Sequence, residues 1–436
     1  MAQPRRVAVI GGGWAGLATA IEATRRGASV TLFEMAPQLG GRARTVAVDG
    51  LALDNGQHIC IGAYTETLRL LHELGVSERD AFVRTPLRLV DANGNGLLLG
   101  NGPAVPAFGL AVLRRRGWRL GEKLALLRAA ARWRASGFRC ALTLTVAELT
   151  RELPPTIRSG LIDPLCVAAL NTPSEAASAS VFLRVLGDAL FGGRGAADLL
   201  LPRIGLGDVL PQPAANWLAL AHAEVRLRHR VEALIPDGDR WRVDGVTFDA
   251  VVLAASASES ARLAQPVAPT WSGVAAALRY APIVTVYLRA ADTVLPEPML
   301  ALQSDTVAPA QFVFDRGRLG GPKGLLAFVI SGAERWVDAG TPATVSAIRR
   351  QAETALGPLL RGALETLQVF TERRATFRCT PELQRPPMAI APRLCAAGDH
   401  VDGPYPSTLE GAIRSGTAAA RSLLRDSTTD RAGFAR

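Results

Sequence analysis

Asp54, Asn55, Gly56, Gln57 and His58 stand in one run, DNGQH, and the chain turns apolar directly after it. A carboxylate, two amides and an imidazole this close together could pass a proton or hold an oxygen atom. Gly56 would let the backbone approach a flat ligand closely. The plainer reading is a capped turn at Asp54 and Asn55 with a half-buried histidine behind it. Upstream, Gly11, Gly13 and Gly16 have the GxGxxG spacing. The first suits a tight turn, the second a close approach to a pyrophosphate, and the third the packing of a helix on a strand. Glu34 closes the next strand, where a carboxylate can accept hydrogen bonds from a ribose. Together these residues predict dinucleotide binding.

The elements that must hold them can be read on either side. RRVAVIGGGWAGLATAIEATRRGASVTLFE reads as strand, turn, helix and strand. The helix spans about 14–26, and its N-terminal amides, Ala15 among them, point at the phosphates. Gly40, Gly41 and Arg42 form a second glycine turn with a cation suited to the pyrophosphate. TVAVDGLALD is a hairpin with Asp49-Gly50 at its turn, and it delivers the chain to DNGQH. RVEALIPDGDRWRVDGVTFDAVVLAAS holds two alternating segments, a turn at Asp237-Gly238 and a buried strand. Residues 280–290 and 323–331 read as further strands. LCAAGD is a short buried strand, and STLEGAIRSGTAAA opens a helix of small residues. Thr172, Pro173 and Glu175 predict a helix start with Thr172 as N-cap. The preceding CVAALN could line a pocket with Asn171 as its polar group.

Of 436 residues, 48% are hydrophobic, enough for a large core and for two domains or one interleaved fold. The net charge of +10 suggests an acidic partner or a basic solvated surface. Five cysteines, widely spaced and without a CxxC pair, predict neither a zinc site nor a disulfide framework, and they fit a reducing cytosol. No apolar run approaches the roughly 18 to 20 residues needed to span a bilayer. The N-terminus could pass for a signal peptide, but its three glycines argue for the nucleotide loop instead. Residues 113–139 are rich in arginine. On a helical wheel Leu120, Leu124, Leu127 and Ala131 form a stripe, flanked by Lys123, Arg128 and Arg134, while Leu126 and Trp133 fall on another face. This predicts a membrane-interface helix, an ordinary solvated one or a nucleic-acid contact, and the fold signals leave little room for the last. The terminal DSTTDRAGFAR reads as a frayed tail.

GGRA after the ribose-binding acid resembles the flavin amine oxidase and phytoene desaturase superfamily. DNGQHICIGAYTETLRLL, PLCVAALNTPSEAASASVFLRVL, DLLLPRIGL and PSTLEGAIRSG resemble, more narrowly, the hydroxysqualene dehydroxylase family, also known as squalene-associated FAD-dependent desaturases. The likeness runs from about Val7 to Leu424. One departure stands in GDHVDGPYPSTLEGA, where His400 and Pro404-Tyr405-Pro406 replace an expected Trp and a Gly-Leu-Pro-like turn. The resemblance implies an α/β fold: a Rossmann-like FAD-binding domain of the glutathione reductase and amine oxidase type, interleaved with an α+β substrate domain. Expected boundaries are 1–65, 203–265 and 385–436 for the first, and 66–202 and 266–384 for the second. It further implies that the Val231 backbone meets the adenine and that Gly398 and Asp399 hold the ribityl chain or pyrophosphate. The helix opening at Leu409 would face the flavin pyrimidine ring with its positive end. Gly56, Gln57 and His58 would lie along the isoalloxazine.

The implied activity is reduction of hydroxysqualene to squalene, with hydride passing from reduced FAD to an allylic carbon. Hydroxide leaves poorly, so Gln57 and His58 are the expected donors to the departing oxygen. The implied partners are an isoprenoid lipid, an electron donor for FAD and an anionic membrane surface, with no nucleic acid. The implied location is the cytoplasm, on the inner face of its membrane. The alternatives are an oxidative polyene desaturase, an amine oxidase and a protein that merely retains a flavin. An amine oxidase would want an aromatic cage, which a chain with four tyrosines disfavours.

Overall fold

VAVI, VTLF and AVVL are short, almost wholly apolar runs, as strands covered on both faces must be. The computed structural model describes residues 4–424. In it these runs form the middle of a six-stranded sheet, ordered Glu224–Arg226, Ser29–Phe33, Arg6–Ile10, Ala250–Leu253, Leu394–Ala396, Ala389–Ala391. The first five strands are mutually parallel, and the last pairs antiparallel. The helix Trp14–Arg25 lies on one face with Leu17, Ala18 and Ile21 buried. Against it packs Leu409–Leu423, the helix of small residues. A Cβ at Gly416 would come within 2.1 Å of the Ala15 carbonyl oxygen, so this approach needs glycine. Leu70 and Leu71, from the helix Thr65–Glu73, share the same core.

A second sheet is antiparallel, ordered Met299–Ala301, Phe312–Asp315, Leu325–Ser331, Tyr280–Ala290, Leu364–Phe377. The predicted strand over 280–290 is therefore present, and the one over 323–331 starts at Leu325. Helices Ala104–Arg114, Leu120–Ala135, Asp163–Leu170 and Ala179–Phe191 pack around Leu126, Phe182 and Leu183. The Asp49-Gly50 hairpin forms as expected, with both residues at positive φ (48° and 78°), the requirement of a type I′ turn.

The helix start predicted at Thr172 is absent. Thr172 donates its hydroxyl back to the Leu170 carbonyl, and Ser174 donates to Asp163 at 2.6 Å, so neither side chain caps forward. Ala176 and Ala177 close a turn on the Pro173 carbonyl, and the helix begins only at Ala179. Asn171 takes the left-handed position that ends the preceding helix, and its amide is used up on Ala281, Thr376 and Gly332. The tail expected at 426–436 lies outside the described residues.

Candidate active site

The glycine loop has no room for side chains at two of the three positions the spacing singled out. A Cβ on Gly11, at φ 113°, would sit 2.5 Å from the Ala254 carbonyl oxygen, and one on Gly16 would sit 1.8 Å from that of Gly11. Nothing lies closer than 3.9 Å to the Cβ position of Gly13, so that side of the loop is open to a ligand. The helix from Trp14 has no side-chain cap and no acid in its first turn. Its leading N–H groups, that of Ala15 included, are therefore free to meet an anion. Glu34 is only 8% exposed and accepts from the Gly12 and Ala36 amides at 2.6 and 2.7 Å. The Gly40 amide donates to the Gly12 carbonyl, which fixes the second glycine turn beside the first.

Arg42 and Asp399, 357 positions apart, meet as an ion pair at 2.5 Å. Arg42 also donates to the Ala375 carbonyl at 2.6 Å, and Ser407 donates to Asp399. Burial works to raise the Asp399 pKa, but Arg42, His400 and Ser407 outweigh it and hold the carboxyl below its ordinary range. The same pairing, working against burial, holds the Arg42 guanidinium above its own. The cation expected at the pyrophosphate is thus already paired with the acid expected at the ribityl chain.

The DNGQH segment is held from behind. Tyr287 donates to the Asp54 carbonyl at 3.0 Å, and Gln57 Nε2 donates to the Tyr287 hydroxyl at 3.1 Å. Arg316 donates to Gln57 Oε1 at 3.1 Å. An arginine has no acceptor, so the Gln57 oxygen must face it, and one amide N–H remains for a ligand. The Asp54 carboxylate turns away to Thr45 and the Leu206 amide, which removes it from the chemistry. His58 Nδ1 lies 3.1 Å from the Gly56 carbonyl, so this nitrogen carries a proton and Nε2 is left free. Burial pushes the His58 imidazolium below its ordinary range, against the pull of Gly56 and Asp54.

One continuous cavity of about 720 Å³ joins these parts. Gly11, Gly13, Ala15, Glu34, Gly41, Arg42, Val231, Gly398, Asp399 and Leu409 line one end, and Gly56, Gln57 and His58 lie on its wall. Gly16 is behind the loop and acts through packing alone. The other end is apolar, walled by Phe108, Leu126, Trp133, Leu161, Phe182 and Phe191. Tyr287 and Arg316, which orient Gln57, escape sequence reasoning because they come from the distant second sheet. Their one local signal is an arginine directly after the buried strand FVFD. Tyr64, Tyr280 and Tyr405 also line the cavity, so the small number of tyrosines is no argument against an aromatic cage.

FAD fits this geometry: the open side of the glycine loop would take a pyrophosphate, Glu34 would face a ribose, and the cavity beyond Arg42 has room for a flat ring system. Hydroxysqualene dehydroxylase from Rhodopseudomonas palustris is 31% identical over 449 aligned positions, covering 96% of this chain and 98% of that one. That from Sinorhizobium fredii is 26% identical, covering 98% of this chain and 100% of its own. The solved cyclohexylamine oxidase from Brevibacterium oxydans has the same fold, with a TM-score of 0.66 over 97% of this chain and 99% of that one, at 19% identity. The model of the family described as flavin containing amine oxidoreductase matches residues 14–424. This chain belongs to that family and is a flavin-dependent oxidoreductase with FAD as its cofactor.

Proposed function

We propose that the protein reduces an allylic alcohol of the hydroxysqualene class to the hydrocarbon. The observation that carries this reading is its end-to-end similarity to hydroxysqualene dehydroxylases. The cavity supports it chemically. A long apolar chain would fill the end walled by Phe108, Trp133 and Phe191, which leaves its hydroxyl near Gln57 and His58. The C–O bond breaks, a C–H bond forms with a hydride, and the oxygen leaves as water after taking one proton. Bound FAD, reduced by a separate electron donor, supplies the hydride. Gln57 holds the departing oxygen with its remaining N–H, and His58 delivers the proton in its imidazolium form. The apolar wall keeps water from recapturing the allylic cation.

Mixing the photoreduced enzyme anaerobically with hydroxysqualene tests this reading. Reoxidation of the flavin is expected, and enzyme whose flavin carries deuterium at N5 should place one deuterium at the carbon that bore oxygen. Reduction of oxidised flavin by squalene, with no reoxidation by hydroxysqualene, would overturn the reading in favour of an oxidative desaturase.

A lipid substrate also calls for a membrane surface, and the face over 104–135 suits one. Leu126 and Trp133 turn inward, whereas Leu120 is 67% and Leu124 38% exposed, beside exposed Leu110 and Leu113. Arg114, Arg115, Arg116, Arg119 and Arg128 flank them. This combination matches an anionic bilayer, with leucines inserting and arginines meeting headgroups. Among the described residues no helix is long and apolar enough to cross a membrane. Changing Arg114, Arg115 and Arg116 together to Gln should lower sedimentation with phosphatidylglycerol vesicles, and salt should lower that of the wild type. Equal sedimentation of the two proteins would remove this surface.

A further inference from the structure

Phe138 takes a backbone conformation that a bulky side chain rarely adopts, with φ at 58°. The end of the helix Leu120–Ala135 dictates it. Gly137, also left-handed at φ 62°, donates its N–H to the Arg134 carbonyl at 3.0 Å, and Phe138 donates to that of Trp133 at 2.7 Å. These are the paired bonds of a Schellman ending. They turn the ring onto the helix Ala179–Phe191. There it lies against Gly187, where a Cβ would come within 3.1 Å of it. It also meets Phe191, with ring centroids 4.7 Å apart and planes tilted by 48°. Strain of this kind persists where the surroundings hold it, often at ligand clamps.

Leu126, Ala130 and Trp133 recur on one face of the first helix, and all three line the apolar end of the cavity. Phe138 continues that line past the helix end, and it and Phe191 line the cavity as well. Their chain neighbours Gly137, Arg139, Gly192 and Gly193 are exposed, so the pair stands at the boundary between cavity and solvent. The Phe138 ring has little freedom to swing aside. The two backbone bonds fix its origin, and Gly187 and Phe191 fix its faces. A held aromatic pair across the end of an apolar cavity acts as a stop. A chain that reaches it is removed from water, and a chain that is longer must bend back or clash.

We propose that the Phe138–Phe191 pair is the specificity-determining end stop of the lipid cavity and sets how long an isoprenoid tail the protein accepts. The inference rests on the reading that a long apolar chain fills this end, and not on the fate of its hydroxyl. Each isoprene unit that fits adds buried apolar area and hence affinity. The first unit that does not fit reverses the gain.

Binding to the oxidised holoenzyme tests the proposal without turnover. Allylic alcohols of the hydroxysqualene class, with one tail shortened or lengthened by single isoprene units, are titrated in a fixed concentration of detergent. The flavin difference spectrum gives each dissociation constant, and partition into detergent cancels between variants. In wild type the constant should fall as the tail lengthens and then rise about tenfold or more at the first unit too long. Phe138→Ala and Phe191→Ala should each move that rise to a tail at least one unit longer. Phe138→Asn removes the ring with a side chain that tolerates the left-handed backbone, so it guards against an alanine variant that fails to fold. Phe138→Tyr keeps the ring and should keep the wild-type limit. The same turning point in wild type, Phe138→Asn and Phe191→Ala would overturn the proposal. So would an equal weakening at every length, the mark of lost packing alone. Reoxidation of the photoreduced enzyme by the same alcohols is scored separately: a shifted limit without turnover would sink the dehydroxylation and keep the stop.

Discussion

Replacing His58 by alanine is expected to slow dehydroxylation by about 10²-fold or more, the usual contribution of a general acid. The ring stands on the cavity wall, and the Gly56 carbonyl fixes its orientation, so Nε2 is the nitrogen that can reach a substrate oxygen. Burial lowers its pKa from the ordinary value, so at neutral pH the acid form is the minor one. The sign of the pH dependence follows. In wild type the single-turnover rate should be highest below that lowered pKa and should fall about tenfold per unit as pH rises above it. The His58→Ala enzyme should show a flat profile across the same window. FAD should stay bound, since the loop at Gly11 to Gly16 and Arg42 lie outside this segment. Rapid mixing of reduced enzyme with hydroxysqualene at several pH values measures both effects. Unchanged turnover in the variant would remove His58 and leave the oxygen to Gln57 alone.

What made His58 a candidate was local, and so was most of what could be read without coordinates. Glycine spacing, a hairpin turn and buried apolar strands are set within a few residues, and each of these stands where the sequence put it. The misread start at Thr172 shows the limit of local reasoning. A threonine, proline and glutamate in cap spacing promise a helix, but Thr172 and Ser174 found better acceptors behind them. The arrangement around Gln57 was hidden for another reason. Its partners Tyr287 and Arg316 are over two hundred positions away, and only the pairing of the two sheets' surroundings brings them in. Arg42 from its glycine turn and Asp399 from the family resemblance were each expected on the cavity they line, while their ion pair was not, because spacing along a chain carries no information about contacts across it. The exposed leucines near 120 were legible as a stripe. Which of the two faces would be buried depended on the cluster around Phe182 and Leu183.

Removing the Glu34 carboxylate should have the next largest effect, on cofactor affinity rather than on chemistry. Its two oxygens already hold the Gly12 and Ala36 amides, which tie the glycine loop to the end of the second strand. Each oxygen has a second lone pair, so the carboxylate can serve these amides and still accept from an adenosine ribose. In Glu34→Ala the buried Gly12 N–H and the part-buried Ala36 N–H lose their acceptor, and the adenosine ribose would lose its partner. The expected cost in FAD binding is roughly 1–3 kcal/mol, or about 5- to 150-fold in dissociation constant. Glu34→Gln should not rescue it. An amide would turn its NH₂ towards one of the two backbone donors, and that nitrogen cannot accept. The loss should be specific to the adenosine half of the cofactor. Titration of apoprotein with FAD and with FMN measures this directly: the wild type should prefer FAD strongly, and in Glu34→Ala that preference should shrink while FMN affinity changes little. An unaltered preference for FAD would mean that the ribose is held elsewhere and that Glu34 only braces the loop.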